Sequence, residues 1–268
     1  MGMYAIHGLL LLFRSVFTPT ILSNSETWDH LTSNDITRLQ TLQLKYLKWM
    51  LHTPRGTCNT FVYLELGILP TKSLINIRKI MFLHHILNLD DNDPVKITHQ
   101  QQQMYLFELN WANEMKNLLT THNLPTDETI IRQLPRDTWK NMVKEAVTRV
   151  SLLSLNAECK EKTKTSGREY ARLELQPYFH RLPASKARKY FQLRGNIYNF
   201  KCNRPYQHTD DICRLCGEEP EDTNHVLNLC SKVRRSTKQF DDLWDLSIED
   251  LDELMDRITQ FELQIEEE

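Results

Sequence analysis

Glycine is scarce in this sequence, at seven in 268 residues. Loops that need its backbone freedom are correspondingly few, and the remaining composition suits helix, so the expected fold class is all-α. Cysteine is scarcer, at six, and Cys58, Cys159 and Cys202 stand isolated. That spacing excludes a disulfide framework and points to a reducing, intracellular compartment, nucleus or cytoplasm. Neither charge dominates: 25% of residues are charged and the net is −2, so the molecule as a whole is not a polycation. No apolar run approaches the roughly 20 residues of a membrane span. The stretch from Tyr4 to Phe13 has no Lys or Arg before it and meets Arg14 early, which favours a buried helix over a signal-peptide core. A nucleophile elbow, a phosphate loop and a paired-carboxylate signature are also missing. The expectation is therefore a protein that is not an enzyme and has no small-molecule substrate.

What is present is concentrated near residue 220. Cys213, Cys216, His225 and Cys230 fall at C-x2-C-x8-H-x4-C spacing within eighteen residues. Two thiolates separated by two residues reach one ion from a tight turn, and Gly217 supplies the backbone freedom that the turn needs. Thr223 is placed to cap a short helix carrying His225 and Cys230. Three thiolates and one imidazole fill all four positions of a structural Zn²⁺ and leave none open for water. Cys202 and His208 lie upstream at no standard spacing, and they read as a buried thiol and a loop histidine.

Along the chain, residues 3–17 read as a helix ended by Thr18 and Pro19, followed by an extended segment. Thr32 and Asp35 have capping-box character, and Ile36, Leu39, Leu42, Tyr46, Leu47 and Met50 then share one helix face. A short helix from Phe61 stops at Gly67 and Pro70. The next runs over 71–89, with Leu74, Ile77, Ile80, Met81, His84 and Leu87 at helical spacing. His84 and His85 point about 100° apart on it and so do not share an ion. A polar break at 90–103 precedes helices over 104–120 and 127–159, whose Trp111 and Trp139 are packing anchors in apolar stripes.

From Lys160 to Arg204, twelve Lys and Arg face three acids, a net of +9, interleaved with Tyr170, Tyr178, Phe179, Tyr190, Phe191, Tyr198 and Phe200. Basic side chains neutralise phosphates and aromatic faces stack on splayed bases, so RNA or single-stranded DNA is the expected partner. The residues expected to contact it are Arg168, Arg172, Arg181, Lys186, Arg188, Lys189, Arg194, Lys201 and Arg204. The aromatics are equally consistent with a helical core behind that charge. Residues 239–268 reverse the sign, with twelve acids against Arg257. Ser247 caps an amphipathic helix whose apolar stripe is Ile248, Leu251, Leu254, Met255, Ile258 and Phe261. Such a helix can dock on a basic protein partner or fold back over the chain's own basic face, and a solvated acidic tail is the equal alternative.

These segments together resemble the C-terminal part of the reverse-transcriptase protein of LINE-type (non-LTR) retrotransposons. The resemblance is carried by Glu26, Thr27 and Trp28 before the helix over 39–50, and by the block from Tyr63 to Pro70 followed by Arg78, Lys79 and Phe82 to Leu87. Leu175 to Tyr178, Phe191 to Arg194, and Asp211 through His225 to Cys230 complete it. It covers most of residues 8–235 and implies a thumb-like helical region at 1–90, a helical linker at 91–165 and a basic segment with the CCHC knuckle at 166–235, leaving the acidic amphipathic tail at 236–268 outside it. It also implies that Cys213, Cys216, His225 and Cys230 are knuckle ligands near nucleic acid. The family's polymerase uses a Tyr-x-Asp-Asp hairpin to hold Mg²⁺. The pairs Asp90–Asp91, Asp210–Asp211 and Asp241–Asp242 lie in no such context. The implied role is binding without catalysis.

Overall fold

Helices supply the regular backbone pairing in this chain. The computed structural model describes residues 6–104, 110–162, 169–233, 238–240, 242–244 and 246–267; among them are twelve α-helices and no strand, apart from isolated bridges pairing Leu66 with Leu175 and Ile212 with Pro220. The fold is all-α.

Helix α1 (Ile6–Leu12) continues through a π turn at Phe13–Phe17 into α2 (Thr18–Ile21). Pro19 was expected to end the helix and start an extended segment, and it does neither. The Thr18 N–H reaches Phe13 O across the widened turn, and proline sits in the first turn of α2, where a missing N–H costs little. Helix α3 (Ser33–Met50) starts at the expected capping box: Thr32 Oγ1 accepts from Asp35 N at 3.2 Å, and Asp35 Oδ2 accepts from Thr32 N at 3.1 Å. Hydrogen bonds from Thr32 hold the Asp35 carboxyl below its ordinary range. Its buried face is turned slightly from the expected stripe, because Leu42 is exposed and Gln43 is buried. The Gln43 amide explains this. It donates to Leu69 O at 2.9 Å and accepts from Tyr63 Oη, Thr71 N and Thr71 Oγ1 at 2.8–2.9 Å.

Helix α4 (Asn59–Leu66) ends at Gly67, whose φ of +59° is the left-handed region. A Cβ there would also lie 2.3 Å from the backbone carbon of Glu174, so glycine is required twice over. Helix α5 (Thr71–Leu87) follows. The polar break is in fact the start of a helix, α6 (Pro94–Met104), with Asp93 Oδ1 accepting from Val95 N at 2.8 Å. Helix α7 (Trp111–Thr121) is next. The single helix expected over 127–159 is divided at Pro135 into α8 (Glu128–Gln133) and the 25-residue α9 (Arg136–Lys160). Trp111 and Trp139 are buried anchors, as read from the sequence.

Two cores result. One joins α5, α7, α8 and the first half of α9 through Ile80, Leu83, Met115, Ile131, Trp139 and Val143. The other joins α1, α3, α4 and the end of α9 to described segments after residue 169. That later part includes α10 (Tyr178–Arg181), α11 (Ala184–Arg194), the cysteine-rich segment and α12 (Ile248–Glu267). The four consecutive segments drawn from the sequence therefore do not correspond to separate cores. Ile6 and Phe261 belong to the same one.

At the centre of that core lies a carboxylate, Glu65, wholly buried on α4. It accepts from Tyr170 Oη at 2.5 Å, Tyr178 Oη at 2.6 Å and Arg194 Nη2 at 2.9 Å. A buried ion pair that loses one member leaves an uncompensated charge, which costs about 3–5 kcal/mol. Glu65→Gln is accordingly expected to lower unfolding stability by that amount in urea titration. The double variant Glu65→Leu/Arg194→Met should recover most of the loss; equal destabilisation by both would show that the charge pairing is not what matters.

Candidate metal centre

The loop that opens the site is fixed by its own backbone. Cys213 N donates to Glu219 O at 2.8 Å and Gly217 N to Cys213 O at 3.0 Å, folding Cys213 and Cys216 to one side. Gly217 adopts φ +70° and has open space around it, so it is the backbone angle alone that calls for glycine. Helix initiation falls one residue earlier than read from the sequence. Asp222 Oδ1, rather than Thr223, accepts from His225 N at 2.7 Å. Residues His225–Leu229 then form a π turn closed by Cys230 N donating to His225 O at 2.7 Å. In a regular α-helix, residues five apart point roughly 140° from one another. The wider turn brings His225 and Cys230 onto the same side.

The result is one cluster. The donor atoms of Cys213, Cys216, His225 and Cys230 all lie within 4.8 Å of one another, and it is the only such group among the described residues. Cys213 Sγ and Cys230 Sγ are 3.9 Å apart, and Cys216 Sγ is 3.2 Å from His225 Nε2. A tetrahedral ion with bonds of about 2.3 Å to sulfur and 2.05 Å to nitrogen needs edges of about 3.8 and 3.6 Å. The donor set can therefore hold a metal ion with small adjustments. Cys202 and His208 lie outside it.

The surroundings prepare the donors. His225 Nδ1 lies 3.1 Å from Glu219 Oε2, so the carboxylate holds the proton on Nδ1 and turns the Nε2 lone pair toward the thiols. Burial pushes the Cys213 thiol up to about 12. Burial also opposes ionisation of Cys216, but the backbone N–H groups of Glu218 and Glu219, with Cys213 and His225, outweigh it and bring that thiol down to about 7. One thiolate is thus available near neutral pH, while Cys213 needs the charge of a bound cation to ionise. Behind the loop, Glu221 is buried and accepts from Arg214 N at 2.9 Å, Arg214 Nε at 2.9 Å and Lys201 N at 3.1 Å. Arg214 Nη2 continues to Asn199 O at 2.9 Å, and its guanidinium sits 5.8 Å from the Phe261 ring of α12. The loop is tied to both the basic segment and the last helix. Nothing in the residue types around the motif announces Glu219 and Glu221 as these supports.

No family model, curated protein or solved structure matches this chain. The site's chemistry rests on its own geometry.

The basic residues expected to form one surface are distributed differently. Arg168 lies outside the described residues. Arg194 is 7% exposed and committed to Glu65, which removes it from any solvent-facing surface. Lys186 pairs with Asp252 at 3.4 Å, Lys189 pairs with Glu262, and Lys201 pairs with Asp210 at 2.8 Å. Arg188 is half-buried and donates through Nε to Met50 O at 2.9 Å. Arg172 and Arg181 are exposed, and Arg204 is half-buried. The acidic helix folds back, as one of its expected behaviours required. Ser247 and Asp250 cap α12, and Leu251, Leu254, Met255, Ile258 and Phe261 are buried in the chain's own core. All seven interleaved aromatics from Tyr170 to Phe200 are core residues, not stacking faces. A fully exposed aromatic, Tyr206, was not singled out by sequence, although it sits two residues from Arg204. Among the described residues no helix is long and apolar enough to cross a membrane.

Losing a carboxylate that orients a ligating imidazole typically costs 10- to 100-fold in metal affinity. Glu219→Gln is expected to weaken metal binding within that range in competition with a chromogenic chelator. An unchanged affinity would mean the Glu219 contact does not orient His225.

Proposed function

We propose that the chain is a non-catalytic module that binds RNA or single-stranded DNA, held in shape by a structural Zn²⁺ on Cys213, Cys216, His225 and Cys230. The observation that carries the reading is the donor set: three thiols and one imidazole whose ligand atoms all lie within 4.8 Å of one another. Soft sulfur donors with one imidazole favour zinc, and four protein ligands make the site structural. The clamp then fixes the position of the basic segment that enters it, through Glu221, Lys201 and Arg214. The resemblance to the C-terminal part of a LINE-type reverse-transcriptase protein, with its polymerase hairpin missing, supports binding without nucleotide transfer.

The available phosphate contacts are fewer than the +9 block suggests. Arg172, Arg181, Arg204 and Lys232 remain at least partly exposed, while α12 neutralises much of the solvent face of α11. The other reading, an adapter that docks a protein through α12, is less well supported because the apolar stripe it would use is already buried.

Zinc analysis of the purified chain should give one equivalent, and Cys213→Ser should abolish it together with thermal stability of the second core. Retention of a single-stranded RNA should fall with salt, with a log–log slope near −3 for about four phosphate contacts. Absence of metal in the wild-type chain would defeat the zinc assignment. Absence of any salt-dependent retention of RNA or single-stranded DNA near physiological ionic strength would defeat the binding role.

A further inference from the structure

A cavity of about 600 Å³ opens between residues 169–178, α10, α11 and the stretch that leads from Trp244 into α12. Its inner wall is aromatic: Tyr170, Tyr178 and Tyr190 line it, with Trp244 on the facing side. Between them lies the Arg194 guanidinium, 4.0 Å from the centre of the Trp244 ring and 5.2 Å from that of Tyr178. Arg194 Nη2 is held by Glu65 at 2.9 Å and Nη1 by Trp244 O at 3.3 Å, while its buried Nε has no hydrogen-bond partner among the described residues. An unpaired donor on a buried side chain that lines a cavity is costly unless something else accepts from it. At the mouth stand Arg172 and Arg181, both exposed and neither paired with a carboxylate among the described residues. Two carboxylates share the rim, Glu169 and Glu174, and the first is occupied by Lys160 at 2.9 Å.

The cavity volume falls within the range of small-ligand sites. Its materials are specific in kind. The half-buried indole of Trp244 offers a stacking face to a planar ring, and the exposed guanidinia of Arg172 and Arg181 suit a phosphate. A single planar base joined to a phosphate matches both parts at once. We propose that this cavity receives one splayed nucleotide of a single nucleic-acid strand, with the base against the Trp244 wall and the phosphate on Arg172 and Arg181. The inference rests on the nucleic-acid reading above and narrows it to a place. It also assigns a use to two of the arginines of the basic block that α12 leaves uncovered.

The test uses the full, zinc-loaded chain with a fluorescent RNA dodecamer, AMP and inorganic phosphate as probes. Arg172→Gln/Arg181→Gln alters exposed side chains only, and an unchanged thermal melt establishes that the fold is kept. It should weaken the dodecamer at least 10-fold. Trp244→Phe, which keeps a stacking face, should bind within a few-fold of wild type, whereas Trp244→Ala should lose about 5- to 150-fold, the range for one stacked base. AMP should compete with the dodecamer, and inorganic phosphate should compete far more weakly. If the dodecamer binds the arginine double variant with wild-type affinity, the cavity is not its site, although the nucleic-acid reading stands. If AMP binds saturably but no strand does, the site takes free nucleotides, and both the strand proposal and the broader reading fail. Equal competition by AMP and phosphate would overturn the base-recognition part.

Discussion

A carboxylate with no access to water organises this protein. Glu65 sits on a helix whose side chains from Thr60 to Leu66 are all buried, and it is bonded by two tyrosines and one arginine from segments more than a hundred residues away. Every one of those donors has to be in place before the charge is tolerable, because a buried ion without its partners is worth several kcal/mol of destabilisation. The requirement fixes the 169–178 segment, α10 and α11 against α4. It also explains the backbone contact beside it, where Gln176 N donates to Glu65 O at 3.1 Å and Gly67 leaves room for the Glu174 main chain. Burial and the nearby Glu65 charge push the Tyr170 and Tyr178 hydroxyls well above their ordinary range, so both remain donors at any physiological pH.

The cysteine–histidine cluster is attached to this frame through a second buried acid. Glu221 bonds Arg214 and the Lys201 backbone, and Val226 and Leu227 enter the same core as α12. Arg257 of α12 donates to Leu227 O, directly beside the ligating turn. The candidate metal centre and the docked helix therefore share one packed core. The zinc-type centre has no separate core of its own and closes one edge of a larger one.

Local chemistry was readable from sequence, and long-range pairing was not. The Thr32–Asp35 box, the Ser247 cap and the Gly217 turn each act within four residues, and the structure uses each as read. The four ligands were legible because their spacing lies within one turn-and-helix unit. Arg194 was misplaced on a binding surface because an arginine in a +9 block looks solvated, and its partner Glu65 lies 129 residues earlier. A signal did exist, since one glutamate within the apolar run from Phe61 to Leu66 must either break the run or be paired inside it. Pro19 and Pro94 misled in opposite directions, the first failing to stop a helix and the second starting one, because proline's effect depends on whether its missing N–H falls in a first turn. The acidic last helix neutralising the basic block is the large-scale version of the same lesson: complementary charge in one chain is partly spent on itself.

The membership of the second core has a bearing on how the chain is made. Residues from Ile80 to Val147 close the first core among near neighbours, but Ile6, Leu47 and Phe61 share theirs with Leu254, Ile258 and Phe261. Contacts of such long sequence separation form late and slowly. During synthesis the apolar faces of α1, α3 and α4 would remain incompletely covered until α12 had emerged, and Glu65 would stay hydrated until Arg194 had. The early helices of this protein thus complete their packing only when the last helix is present to cover them.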